Sequence, residues 1–542
     1  MAKHAHNLWQ QVRQGAATIT YGNPLYRYFL QGQVPEQLQF TPQYFPCGDA
    51  AAGEKILGGQ FVFAHETHHG VAPPWQPPAA SVGWQEAMHG FGWLEDLRTV
   101  GNDAARQMAV DCIIDWLQQF DQWQNLIWEP AVLGARLAAW VGAAEFYLPA
   151  MAEPAQAQLL VSIARQMRHV LRLLPGNLAG LAAMAAYKGV IYAAMNLPEE
   201  GPKALGVALT LLARKVQEEI LPDGGHAARS PETHLLYLRH ILDIRDALAR
   251  AGVAAPSELD HAVAHMVPAL RSLRYGDGGL ALFQGSAVGN PLLIEQTLER
   301  AKIRSRGGKS LPHLGFERLQ AGRCLLLCDA GMPPARGLDR FAHAGLLSFE
   351  FSHARERIIV NCGGGSFLGD WRQALAATAA HSTMTVADTN AAEVLRQGGI
   401  GHRPRQVTAR SYELDGVYTI EATHDGYRDS CGLVHERKLS LAADGSWLAG
   451  RDLLRGDGVF PFALRFHLHP KVQCGVVKGG QAVLLRTASG QGWQLQTDGH
   501  VVALEASMYC GDGAPRRTQQ IAIHGRSGDD GGVSWKLVRV TG

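Results

Sequence analysis

The chain has 542 residues, 46% of them apolar and 18% charged. That is a globular profile too long for one ordinary core, so two or three domains are expected. Lys+Arg 50 against Asp+Glu 49 leaves a net charge of +1, which excludes a global field drawing the chain onto nucleic acid or an anionic membrane.

The first 83 residues are mixed and Pro-rich and predict an irregular lead-in packed on helices. Its start, "MAKHAHNLWQQVRQGAATITYGNP", has no apolar h-region, and no eighteen apolar residues run together anywhere. The expectation is a soluble, cytoplasmic chain, or a periplasmic one if a leader has been removed. "HETHHG" at 65–70 lacks the helix and the H-E-x-x-H spacing of a zinc protease.

From 84 to 275 apolar residues recur at three and four, with Gly or Pro punctuation. "DAARQMAVDCIIDWLQQF", "AQAQLLVSIARQMRHVLRLL" and "SPETHLLYLRHILDIRDALARAG" are examples among about eight predicted helices. Short loops between such helices favour stacked hairpins, so an incomplete (α/α) toroid is expected. Lengths vary and no sequence repeat is visible, which argues against a solenoid motif.

From 276 to 542 the period becomes two. "CLLLCDAG", "LLSFEFS", "RIIVNCG", "LVHERKLSLAADGSWLAGRDLL" and "LRFHLHP" are strands separated by Gly, Asp and Asn turns, and "AADGS" is a hairpin signal. Many strands without intervening helices predict a large antiparallel β-sandwich. The eight cysteines are scattered without paired C-x-x-C spacing, so buried free thiols are expected.

Within the helical half, "DGGHAARSPETH" carries the most information. Ser230 reads as an N-cap and Pro231 as the first helical residue. Capping gives no reason for His226 and Arg229, and a guanidinium suits two-pronged pairing with a carboxylate. Arg340, beside Phe341, is a further carboxylate-binding candidate. His467 and His469 share one strand face and read as packing residues.

"AHAGLLSFEFS…RIIVNCGGGS…WRQALAATAAHSTMTVAD", with "ERKLSL", "LAGRDLL", "RFHLHP" and "LPDGGHAARSPETHLLYL", resembles the heparinase II/III family of polysaccharide lyases. The likeness spans roughly 84–540. It implies a helical toroid followed by a β-sandwich, and β-elimination on an acidic, uronate-containing polysaccharide or oligosaccharide where the two halves meet. That chemistry requires a group to neutralise the uronate carboxylate, a base for the adjacent C–H proton and an acid for the leaving oxygen. On this reading proton transfer falls to His226, Tyr237 or His343, and substrate binding to Asn177, Arg229, His234 and Arg340. The resemblance requires no cofactor but leaves room for a structural zinc or other divalent metal on His343, Asn361 and His381.

The likeness breaks at specific positions. Phe341 stands where the family has a histidine, Gly345 where it has an acid, Asn361 where it has a ligating Asp, and Thr233 where a Tyr precedes His234. The leading reading is a lyase. The alternative is an inactive carbohydrate-binding or scaffold protein on the same fold. A glycoside hydrolase needs two carboxylates across a cleft, and nothing in sequence pairs Glu86, Glu95, Asp96 and Asp223. Nucleic-acid and membrane partners are not expected. Self-association is left open.

Overall fold

The computed structural model describes residues 19–540 apart from 46, 71, 309, 366–368 and 529–531. The start of the lead-in, and with it the reading of the N-terminus, lies outside the described residues. Two compact units emerge: Met1–Gln217 with Arg239–Asp260, and Glu218–Leu238 with His261–Gly542. The division therefore falls elsewhere than the change of hydrophobic period at 275/276. The "DGGH" loop and the first turns of helix Pro231–Arg250 belong with the strands.

The first unit is helical. Some helix starts have a visible local cause: Asn102 accepts from Ala105 N (2.8 Å) to open Asp103–Phe120, and Ser81 accepts from Trp84 N (3.2 Å) to open Val82–Gly90. The lead-in is more ordered than expected. It holds helix Ala50–Leu57 and a hairpin, Gln60–Phe63 with Glu66–His69, so "HETHHG" supplies a strand. Helices Pro130–Gly142 and Gly180–Ala194 approach so closely that a Cβ on Gly189 would sit 2.3 Å from Gly134 O. Ala at 189 gains helix propensity but must push the helices apart. Gly189→Ala is therefore expected to destabilise the helical unit by about 1–3 kcal/mol, read as a lowered midpoint in thermal denaturation.

Among the described residues no single helix is long and apolar enough to cross a membrane.

The second unit contains two eight-stranded antiparallel sheets. One runs, in spatial order, Gln473–Val477, Ala482–Arg486, Gly492–Thr497, Gly532–Val540, Trp447–Arg455, Val434–Ala442, Val417–His424, Val407–Leu414. The other runs Val502–Tyr509, Arg516–Arg526, Pro461–Leu468, Glu356–Val360, Phe349–His353, Cys324–Asp329, Phe316–Ala321, with Met384–Val386 paired to Pro461–Leu468. Alternation puts Phe349 and Phe351 on the inner face, where Phe349 stacks on Trp535 (5.6 Å) and Phe351 meets Trp493 edge-on (5.4 Å). The strand half is not free of helices, since Pro291–Arg300 and Gly369–Ala376 interrupt it. All eight cysteines are free and six are buried, with Cys47 exposed.

A buried ionic knot sits in the sandwich. Asp452 accepts from Arg437 Nε (2.6 Å), His435 Nε2 (2.9 Å) and Trp535 Nε1 (3.1 Å). It comes from "ERKLSL" and "LAGRDLL", adjacent strands that place Arg437 directly opposite Asp452.

Candidate functional site

The "DGGH" loop is held from both sides. Asp223 accepts from Gly225 N (3.2 Å) and Leu314 N (2.8 Å), and Gly224, at φ +82°, passes so close to His265 O that a Cβ would meet it at 2.1 Å. Ser230 Oγ accepts from Thr233 N (3.4 Å) at the helix start that Pro231 opens, as the sequence predicts. Arg229 itself adopts φ +58°, an uncommon conformation for a side-chain-bearing residue. The contacts of its guanidinium supply the compensation.

All five N–H groups of Arg229 are taken by this chain. Nε donates to Leu314 O (2.6 Å), Nη1 to Met332 O (2.7 Å) and Gly331 O (3.3 Å), and Nη2 to Gly315 O (3.0 Å) and Asp329 Oδ1 (2.5 Å). The residue is 6% exposed. The expected substrate-facing Arg229 is therefore corrected: it is an internal clamp with no donor left for a uronate.

From that clamp a polar chain continues inward. Asp329 Oδ2 accepts from Gln284 Nε2 (2.6 Å), and Gln284 Oε1 accepts from His343 N (3.0 Å). His381 Nδ1–H donates to Ala377 O (2.8 Å), which leaves its Nε2 as acceptor for His343 Nδ1–H (3.1 Å). Both rings are neutral in this arrangement. Burial pushes His343 well below the ordinary histidine range and His381 down to about 4. Asp329 and Gln284, which link the Arg229 clamp to His343, carry no motif in the sequence. Their signal was a polar residue closing an apolar run, in "CLLLCD" and "LALFQ".

The remaining assigned groups fall as follows. His226 and Tyr237 have no exposed surface and pack ring to ring at 4.4 Å. His226 Nδ1 accepts from Ala228 N (3.1 Å), and its Nε2 lies 3.6 Å from Glu219. His234 donates from Nε2 to Met266 O (2.9 Å) and accepts at Nδ1 from His226 N (3.3 Å), and burial holds it at about 4. The solvent-facing proton-transfer set expected of His226, Tyr237 and His343 is thus replaced by buried rings. Asn177 is exposed in the other compact unit. Arg340 is exposed, its guanidinium 5.4 Å from the Phe341 ring.

The zinc set does not fit the residues present. Asn361 Oδ1 accepts from Ser382 N (2.9 Å), and the His381 Nε2 lone pair receives the His343 proton. Among the described residues no group of three or more His, Cys, Asp or Glu has a geometry that could hold a metal ion. Gly345 follows from the same packing, because a Cβ there would lie 2.5 Å from His381 Cδ2. An acidic side chain at 345 is incompatible with the present position of that ring. His467 keeps its expected packing role, bonded to Ser507 Oγ (2.7 Å) and Ala379 O (3.0 Å).

Comparison with known proteins places this geometry in context. The family described as Heparinase II/III-like, C-terminal, matches residues 303–536. FtsZ-localized protein C of Caulobacter vibrioides is 30% identical over 563 aligned positions, covering 99% of this chain and 96% of that protein. Among solved structures, heparinase III superposes with a TM-score of 0.74 at 13% identity, covering 97% of this chain and 91% of that one. Heparan sulfate lyase HepC from Pedobacter heparinus gives 0.61 at 15% identity, covering 95% and 87%. At such identities the structural likeness establishes the fold alone, a helical region followed by an antiparallel β-sandwich. Fold, sheet-domain match and full-length relative agree, and the chain belongs to the heparinase II/III-like family.

Proposed function

We propose that this chain is a non-cleaving member of the heparinase II/III-like family that localises with FtsZ, as the name of its Caulobacter relative, FtsZ-localized protein C, states for that protein. The observation that carries the reading is the Arg229–Asp329–Gln284–His343–His381 chain. β-Elimination requires a group free to neutralise the carboxylate and a base whose pKa lies near the working pH. Here the Arg229 guanidinium is saturated by five internal acceptors, and burial holds His343 and His381 neutral with depressed basicity. Polar groups at inherited positions hold the fold together, and an acidic glycan would be a ligand for such a protein rather than a substrate.

The test has two arms. Incubation with heparan sulfate, other glycosaminoglycans and alginate is expected to yield no unsaturated uronate absorbance above the protein-free rate. Co-sedimentation with polymerised FtsZ is expected to bring the chain down with the polymer. Unsaturated product from any of these glycans would install the lyase reading instead. Absence from the FtsZ pellet would overturn the FtsZ-localisation part of the proposal.

A further inference from the structure

We propose that an arginine-lined cavity in the sandwich unit, separate from the buried histidine chain, binds a compact polyanion carrying two or more tetrahedral oxyanions, as phosphate or sulfate groups. The cavity measures about 760 Å³, within the range of small-molecule sites. Its cations come from three stretches of chain. Arg271 and Arg274 lie at the end of helix Ser257–Ser272, Arg306 lies with Ser305 in the loop after helix Pro291–Arg300, and Arg318 and Arg323 lie on and just after strand Phe316–Ala321. No Asp or Glu lines it.

Arg274 is paired with Glu295 (2.9 Å). Among the described residues Arg271, Arg306, Arg318 and Arg323 have no ion-pair partner. Arg271 Nε, Arg318 Nε and Ser305 Oγ are buried without a hydrogen-bond partner, a condition native proteins rarely leave uncompensated. Burial lowers the Arg318 pKa, the direction expected of a cation that lacks a counter-charge.

The bland explanation is edge protection, since Phe316–Ala321 ends its sheet and charged side chains discourage strand pairing there. It accounts for Arg318 and Arg323. It gives no reason for Arg271 and Arg306 to converge from other stretches, or for buried donors left unused. In a chain of net charge +1, so many unpaired cations around one cavity call for an anion from outside.

The lining also specifies its class. Tyr275 is 5% exposed and lies beneath the Arg357 guanidinium (4.7 Å), so it offers no open ring for stacking a neutral sugar, and recognition rests on charge. Forks arriving from several directions can each take an oxygen pair of a tetrahedral oxyanion, whereas a planar carboxylate serves them from one plane only.

The test is isothermal titration of the full chain with inorganic tripolyphosphate and, separately, a sulfated heparin disaccharide, with citrate, whose anionic groups are all carboxylates, as the comparison polyanion. Binding of either tetrahedral ligand, weakened by added salt and reduced at least about tenfold in Arg271→Gln/Arg318→Gln, is the expected result. Whichever arm binds identifies phosphate or sulfate as the source. The control Arg410→Gln, at an exposed position in strand Val407–Leu414, is expected to bind as the parent does. An unchanged far-UV spectrum checks that the double variant folds, and removal of mutually repelling charges is not expected to lower its melting midpoint. No binding in either arm, citrate binding as tightly, or equal affinity in the double variant would overturn the proposal. None of these outcomes bears on glycan cleavage or FtsZ co-sedimentation.

Discussion

Replacing Arg229 by Ala is expected to destabilise the sandwich unit by about 3–5 kcal/mol, because it strands the buried Asp329 charge and four backbone carbonyls at once. Arg229→Lys recovers little, since an ammonium has three donors and no planar fork to span acceptors on Leu314, Gly315, Met332 and Asp329. Arg229→Ala/Asp329→Asn should recover part of the loss by removing the unpaired charge. Hydrogen exchange over residues 311–332, compared with denaturant midpoints, reads these differences. If Arg229→Ala left exchange and stability at parental values while a glycan affinity fell, the clamp interpretation would be wrong and a substrate role would return.

Acidification is expected to weaken the unit in two overlapping windows. Burial holds His234 and His381 at about 4 and His467 at about 3, against an ordinary value near 6.5. The unfolded chain therefore takes up protons that the folded chain refuses. Stability from these neutral rings is complete above about pH 6.5 and declines as pH falls toward 4, at up to about 1.4 kcal/mol per pH unit for each ring. Asp452 follows at lower pH. Burial alone would raise its carboxyl, but the Arg437 charge and the His435 bond outweigh that and pull it down to about 2. Its contribution is present above about pH 3.9 and is lost as pH falls through 2. Urea midpoints of the sandwich signal at pH 7, 6, 5 and 4 check the first window, and a flat profile between 7 and 5 would contradict it.

Two features of the site explain what could be read early and what could not. Ser230 and Pro231 act over a span of four residues, so their capping role is visible in the local string. Arg229 lies in the same string, yet its partners sit 85 to 103 positions away. A guanidinium aimed at a substrate carboxylate and one aimed at Asp329 have the same local sequence. Likewise Gly345 looks in sequence like a lost acid, and only the His381 ring 2.5 Å from its would-be Cβ shows that no side chain fits there.

The change from helical to strand periodicity and the antiparallel sandwich are legible in the chain because side-chain period and turn chemistry are encoded by near neighbours, and the family is legible through the resemblance of local motifs such as "LLSFEFS" and "RIIVNCG". Where the compact units divide follows from long-range packing, as does the membership of Arg229, His343 and His381 in an interior polar chain and the burial of His226 against Tyr237. Burial and hydrogen-bond partnership depend on residues distant in sequence, and those two quantities set whether an ionisable side chain performs chemistry or holds a fold.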